Sequence, residues 1–177
     1  VIMPTLMIEE VIKDVEWKPL DKTLIGGNFA KWYGGFQSYM VAQEFGNEMY
    51  IPTMHNKREF EEQVPNLNHL PHCAWADWMD MVSNFKYAIH LMPTIAAGTF
   101  SLNCAYFGIP CIGNIKVDTQ RLCFPELSVN VEDVEEARKL ANKLKNDKDF
   151  YNHCSKNAKI NYMNYFHISK FKEKFTW

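Results

Sequence analysis

Excess charge of one sign is missing from this chain of 177 residues, which sets 19 lysines and arginines against 21 aspartates and glutamates for a formal net charge of -2. So even a balance exerts no broad pull on nucleic acid or an anionic membrane, and neither is expected as a partner. Long apolar stretches are missing too. Runs such as residues 87–92 fall well short of the roughly 18 residues that a membrane span needs, and no charged-then-apolar signal opens the chain. A cytoplasmic protein without a membrane span is expected. The five cysteines, at 73, 104, 111, 123 and 154, are odd in number and scattered among apolar patterns, which excludes a disulfide-stapled miniprotein and predicts reduced thiols. No internal repeat, low-complexity stretch or flexible linker interrupts the pattern.

What is present is enough apolar material for a core, 47% of all residues, at a length that suits one compact domain. The chain opens Val1-Ile2-Met3-Pro4 with no initiator methionine, so a piece of a longer protein or a processed form is expected. Residues 1–20 mix apolar and acidic types around Pro4 and are expected to be a linker or a fragment of a preceding domain. Residues 21–177 are regular. Short apolar runs at 22–28, 49–52, 66–70, 87–92 and 111–113 predict strands. Helical spacing marks 36–45, a charged helix 57–63, an apolar stripe through Trp75, Trp78, Met79, Met81 and Val82, and a helix from Gly98 that Gly108 and Pro110 close. After Pro125 two amphipathic helices follow, one with Asn130 and Asp133 placed to cap and Glu135 four before Lys139, the other carrying Phe150, Cys154, Ala158 and Tyr162 at steps of four. A basic tail bearing Phe166, Phe171, Phe175 and Trp177 suits docking against a neighbouring domain. The alternation predicts an α/β, Rossmann-like open parallel sheet of about five strands with helices on both faces, plus C-terminal helices.

Ligands of such a sheet lie beyond the carboxyl ends of its strands. The loop Gly26 to Gly35 places two glycine pairs around Lys31, which lets backbone amides and an ammonium approach a phosphate, although it is neither a Walker A sequence nor GxGxxG. It equally suits a flexible loop whose glycines serve turns. The second loop brings Gly98, Thr99 and Ser101 to a helix start, where unpaired N–H groups favour anions and where an ordinary cap is the alternative. Together the two loops suggest a diphosphate-sized anion held across the crevice. Thr119 and Gln120 follow the last predicted strand, either at the ligand or in a solvated loop. His69, His72 and Cys73 cluster without a fourth ligand or a second paired motif, so no metal is assigned. His90, within an apolar run, is given no role, and Trp75 and Trp78 are expected in the core rather than as a sugar platform.

The stretch from Tyr87 to Pro93, followed by Gly98 to Ile112 with its Gly108-Ile109-Pro110 ending, resembles the C-terminal, donor-binding domain of GT-B-type glycosyltransferases of the group 1 kind. The likeness extends loosely over residues 22–165. It implies a nucleotide-sugar partner, no metal cofactor, and donor contacts from Gly26, Gly27, Lys31, Gly98, Thr99, Ser101, Asn103, Thr119 and Gln120, with catalytic residues unassigned. It also implies an acceptor-binding domain outside these residues. The chain departs from the pattern at Asn103, where an acidic residue usually grips the ribose hydroxyls, and at Ile95, where a second acid would fall. An amide accepts through one oxygen only, and a glutamate at position 103 would be expected to tighten donor binding. The implied function is sugar transfer from a nucleoside-diphosphate sugar. The alternatives are a non-catalytic Rossmann-like docking module and half of a nucleotide-sugar epimerase.

Overall fold

Each short apolar run becomes a strand of one parallel sheet. The structure, a computed structural model, describes residues 5–53 and 59–173. Strands β1 (Leu20–Ile25), β2 (Glu48–Pro52), β3 (Leu67–Leu70), β4 (Phe85–His90), β5 (Cys111–Asn114) and β6 (Ser128–Val129) lie in the order β3-β2-β1-β4-β5-β6, all parallel. About five strands were expected. The sixth has only two residues, which pair with Gly113 and Asn114 and are too few to show a periodicity.

Seven helices are described: α1 (Gly35–Ala42), α2 (Trp75–Val82), α3 (Thr99–Phe107), α4 (Asp118–Cys123), α5 (Val134–Asn146), α6 (Lys148–Tyr165) and α7 (Ile168–Glu173). From β1 the chain steps outward through β2 to β3, then returns to β4 and steps the other way. Right-handed crossovers therefore set α1 and α3 on opposite faces. Ala88 and Ile89 of β4 are fully buried, as a strand covered on both faces requires.

Local chemistry accounts for the helix boundaries. Asp133 caps α5 by accepting from the Glu136 N–H at 3.0 Å, and Asp147 caps α6 by accepting from Phe150 at 2.9 Å. Ala137, Ala141 and Leu144 of α5 face the core, as do Cys154, Ala158 and Tyr162 of α6. On the outer face of α5, Glu135 pairs with Arg138 and Glu136 with Lys139, so the expected Glu135–Lys139 pair is replaced by two i,i+3 contacts. The helix expected over 36–45 ends early, and Gln43–Phe45 finish it as a tighter 3-10 turn. Of the charged helix expected over 57–63, Glu59–Gln63 form a 3-10 turn, while Lys57 lies outside the described residues, as do Lys174, Phe175 and Trp177.

Residues 5–19 pack onto this domain. Met7 and Ile12 enter its core, Trp17 Nε1 donates to the Phe85 carbonyl at 3.0 Å, and Tyr162 donates to Glu9 at 2.7 Å. All five cysteines are free, and four of them are buried.

Candidate functional site

The strand order reverses between β1 and β4, so the chain departs in opposite directions from their carboxyl ends and leaves a crevice there. A cleft of about 820 Å³ opens at this point. Gly27 reaches it from the loop after β1, His90 and Met92 from the end of β4, and Gly98, Thr99 and Asn103 from α3. Trp75 and Trp78 of α2 wall one side, and Thr5 to Ile8 of the N-terminal segment complete it. Thr5 Oγ1 anchors that segment by donating to the Ala97 carbonyl at 3.1 Å, beside the start of α3. Among the described residues that line the cleft, none is a lysine, arginine, aspartate or glutamate.

The loop after β1 owes its glycines to contact with the end of β4. Gly34 has a φ of 65°, and a Cβ there would collide with the Leu91 backbone. Ser38 ties the same two strands of chain together: its hydroxyl donates to the Gly34 carbonyl at 2.8 Å and accepts from the Leu91 N–H at 2.9 Å. Lys31 lies in a 3-10 turn, Lys31–Tyr33, is exposed, and is not among the residues lining the cleft. Tyr33, two residues on, lines it instead.

The start of α3 is arranged for an incoming acceptor. Gly98, at φ 67°, precedes the helix with no side-chain cap. Leu102 is the first residue whose N–H bonds back, to Gly98 at 3.2 Å, so the N–H groups of Thr99, Phe100 and Ser101 have no partner within the helix. Two residues named from the sequence, Ser101 and Thr119, brace this end, and a third, Gln120, bonds elsewhere. The Ser101 and Thr119 hydroxyls lie 2.8 Å apart and 3.0 and 2.8 Å from the Gly98 carbonyl, so their two protons are divided between that carbonyl and the link between them. Gln120 donates to the Cys111 carbonyl at 2.8 Å, joining α4 to β5. All three are buried and absent from the cleft lining, and Thr119 and Gln120, read from the sequence as either ligand contacts or a solvated loop, belong to α4.

Asn103 is engaged as well. With its amide oriented to satisfy both neighbours, its oxygen accepts from Trp78 Nε1 at 3.0 Å and its nitrogen donates to the Thr99 carbonyl at 3.2 Å. It joins α2 to α3, which is also why Trp78 stands at the cleft rather than only in the core. Gly26 lies just behind the cleft, where a Cβ would come 2.6 Å from the His90 ring. Ile95, by contrast, is exposed.

Two side chains of this region were not identified from the sequence as part of it. Glu61, within a run that reads as a solvated charged helix, is fully buried. It accepts from the Phe29 N–H at 3.3 Å and lies 3.1 Å from His69 Nε2, so it fastens the loop after β1 to β3. His69 is thereby held apart in role from His72 and Cys73, which line the cleft, and among the described residues no group of three or more His, Cys, Asp or Glu side chains is arranged to hold a metal. The second is His90. Burial pushes its pKa down to about 4, so the imidazole is neutral at physiological pH. An unfolded histidine takes up a proton near pH 6.5 and the folded one does not, so stability falls as the pH drops from 6.5 toward 4. The expected loss from this group is about 3 kcal/mol at pH 4. Urea titrations at pH 7, 6, 5 and 4 on the unaltered protein and on His90→Phe check it, since the substitution should remove that share of the slope.

No protein-family model matches the sequence, and no curated protein matches it. Solved structures do. One is AviGT4, a glycosyltransferase involved in Avilamycin A biosynthesis, with a TM-score of 0.69 and 11% identity over 98% of this chain and 56% of that one. Another is WaaG, a glycosyltransferase involved in lipopolysaccharide biosynthesis, with 0.70 and 13% over 97% and 54%. A third is an alpha-glucosyltransferase in complex with UDP, with 0.70 and 13% over 98% and 55%. The chain thus spans a little over half the length of each. At these identities the likeness is one of fold: the chain has a GT-B-like, Rossmann-like α/β domain, as its Gly-x-Pro helix suggested. Among the described residues no helix is long and apolar enough to cross a membrane.

Proposed function

We propose that this domain binds the nucleoside-diphosphate sugar of a glycosyltransferase whose acceptor is held by a further domain. The observation that carries the proposal is the uncapped start of α3, which opens into the cleft where the strand order reverses. Backbone N–H groups and about half a positive charge at a helix start suit a diphosphate, and they stabilise the same group as it leaves. Aromatic and apolar walls suit the base and sugar rings. The neighbour with bound UDP supports the same class of ligand. No resident metal is called for by this scheme, and the free thiols suit a cytoplasmic setting.

Nothing in this scheme falls to Lys31. Titration of the ¹⁵N-labelled chain with UDP should move the amide signals of Gly98, Thr99 and Phe100, and Lys31→Ala should bind within about twofold of the parent, a difference of roughly 0.4 kcal/mol. Unmoved signals at α3 would sink the proposal. A tenfold loss in Lys31→Ala would restore the lysine to the site. One observation favours the second interpretation, a docking module without catalysis: Asn103 spends its amide on Trp78 and Thr99. An epimerase draws no such support, since no carboxylate lines the cleft among the described residues.

A further inference from the structure

Three side-chain hydroxyls line the cleft among the described residues, those of Thr5, Tyr33 and Thr99. Thr5 spends its own on the Ala97 carbonyl, and Thr99 belongs to the start of α3. Tyr33 comes from the loop after β1, across the crevice. Its hydroxyl has no hydrogen-bond partner among the described residues. Nor is it shielded from water, since the shielded, unpartnered side-chain atoms of those residues are His90 Nε2 and Gln120 Oε1. A polar tip that is open to solvent and bonded to nothing gives the fold no support, so phenylalanine would serve the packing as well.

The backbone is shaped around this side chain. Gly27 lines the cleft at φ 77°, and a Cβ there would come 2.7 Å from the Tyr33 Cβ, so the ring is rooted directly over a residue of the cleft. The turn itself is pinned. The Tyr33 N–H donates to the Ala30 carbonyl at 2.9 Å, and Gly34 behind it abuts the Leu91 backbone. The Trp32 carbonyl accepts from Thr94 Oγ1 at 2.9 Å, which ties this turn to the loop leading into α3. Tyr33 and the free amides of α3 are thus held on the two lips of one crevice.

We infer that the Tyr33 hydroxyl donates a hydrogen bond to a diphosphate oxygen of the bound nucleotide, in the place that charge alone would give to Lys31. This deepens the donor-binding proposal and rests on it. No lysine or arginine lines the cleft among the described residues, so the anion is met by hydrogen-bond donors rather than by cations. The amides of α3 approach it from one side and the phenol from the other. An O–H donated to an anionic oxygen makes a stronger bond than one donated to a neutral acceptor, and it holds the charge of the diphosphate as that group leaves.

Calorimetry with UDP and with uridine on the unaltered chain and on Tyr33→Phe tests the inference. The variant keeps the ring over Gly27, so it is expected to melt with the parent. It should bind UDP at least about tenfold more weakly, the scale of one lost hydrogen bond to a charged group, and bind uridine as the parent does. Equal weakening of both ligands would place the hydroxyl on the nucleoside and overturn the inference. Should the variant fail to fold, the ¹³C signals of the Tyr33 ring in the unaltered chain decide: they are expected to shift with UDP and to stay with uridine, and signals unmoved by UDP overturn the inference. Failure of the unaltered chain to bind UDP would defeat the donor proposal and this contact together. Full-strength UDP binding by folded Tyr33→Phe would defeat the contact alone.

Discussion

Gly34→Ala is expected to cost the fold more than about 3 kcal/mol of unfolding free energy. A left-handed φ of 65° costs an alanine about 1–2 kcal/mol by itself. The larger cost is steric, because the new methyl would enter the backbone of Leu91, and relief means separating the loop after β1 from the end of β4. That separation also breaks the bridge in which Ser38 joins Gly34 to Leu91. The combined loss is expected to exceed about 3 kcal/mol, a large part of the 5–15 kcal/mol that holds a typical domain together. Gly46→Ala is the matched control. Gly46 has nearly the same φ, 67°, but a Cβ there meets only the flexible end of Lys145 at 3.3 Å. Urea midpoints of the two variants should differ by the steric share, and equal midpoints would show that the collision is relieved cheaply.

Asn103→Glu has the next largest expected effect, and its sign is opposite to the one that family resemblance implies. A carboxylate at this position would be expected to tighten the grip on a ribose. In the structure the position is 5% exposed and already committed: the amide bridges Trp78 and Thr99. Glutamate cannot donate to the Thr99 carbonyl, and no lysine or arginine lines the cleft among the described residues to offset its charge. The expected cost is about 3 kcal/mol at neutral pH, with weaker rather than tighter UDP binding. Burial raises the pKa of the introduced carboxyl, so its folded form favours the proton. The deficit relative to the parent should therefore be smallest below the free value of about 4.3 and grow as the pH rises above it. Urea midpoints of variant and parent between pH 4 and 8 measure that difference, and a constant difference would contradict a buried site.

Much of this domain was legible in the residues themselves. The run at β4 and the Gly108-Ile109-Pro110 ending of α3 mark their elements through burial and backbone geometry, which are local properties of the chain. The two loops at the carboxyl edge were legible for the same reason, and Gly27 and Gly98 do line one cleft. What escaped was the direction in which side chains point. Ser101 and Thr119 are the right types for an anion site, yet their hydroxyls turn to the Gly98 carbonyl. Lys31 has the right charge in the right loop, but the 3-10 turn leaves it exposed and gives the cleft Tyr33. Glu61 reads as a solvated residue because its partners, Phe29 and His69, are separated from it by 32 and 8 positions. His90 shows nothing in sequence that sets its surroundings, since its neighbours Gly26 and Phe100 come from other elements.

The central claim is that the uncapped start of α3 in this cleft holds the diphosphate of a nucleotide. Isothermal titration of the folded chain with UDP, uridine and inorganic phosphate tests it most directly. UDP should bind, and uridine should bind at least about tenfold more weakly, a difference of roughly 1.4 kcal/mol that reports the diphosphate. At about 100 times its dissociation constant UDP should also raise the unfolding free energy by about 2.7 kcal/mol. Uridine binding as tightly as UDP, or no heat from UDP at millimolar concentration with the fold intact, would contradict the claim.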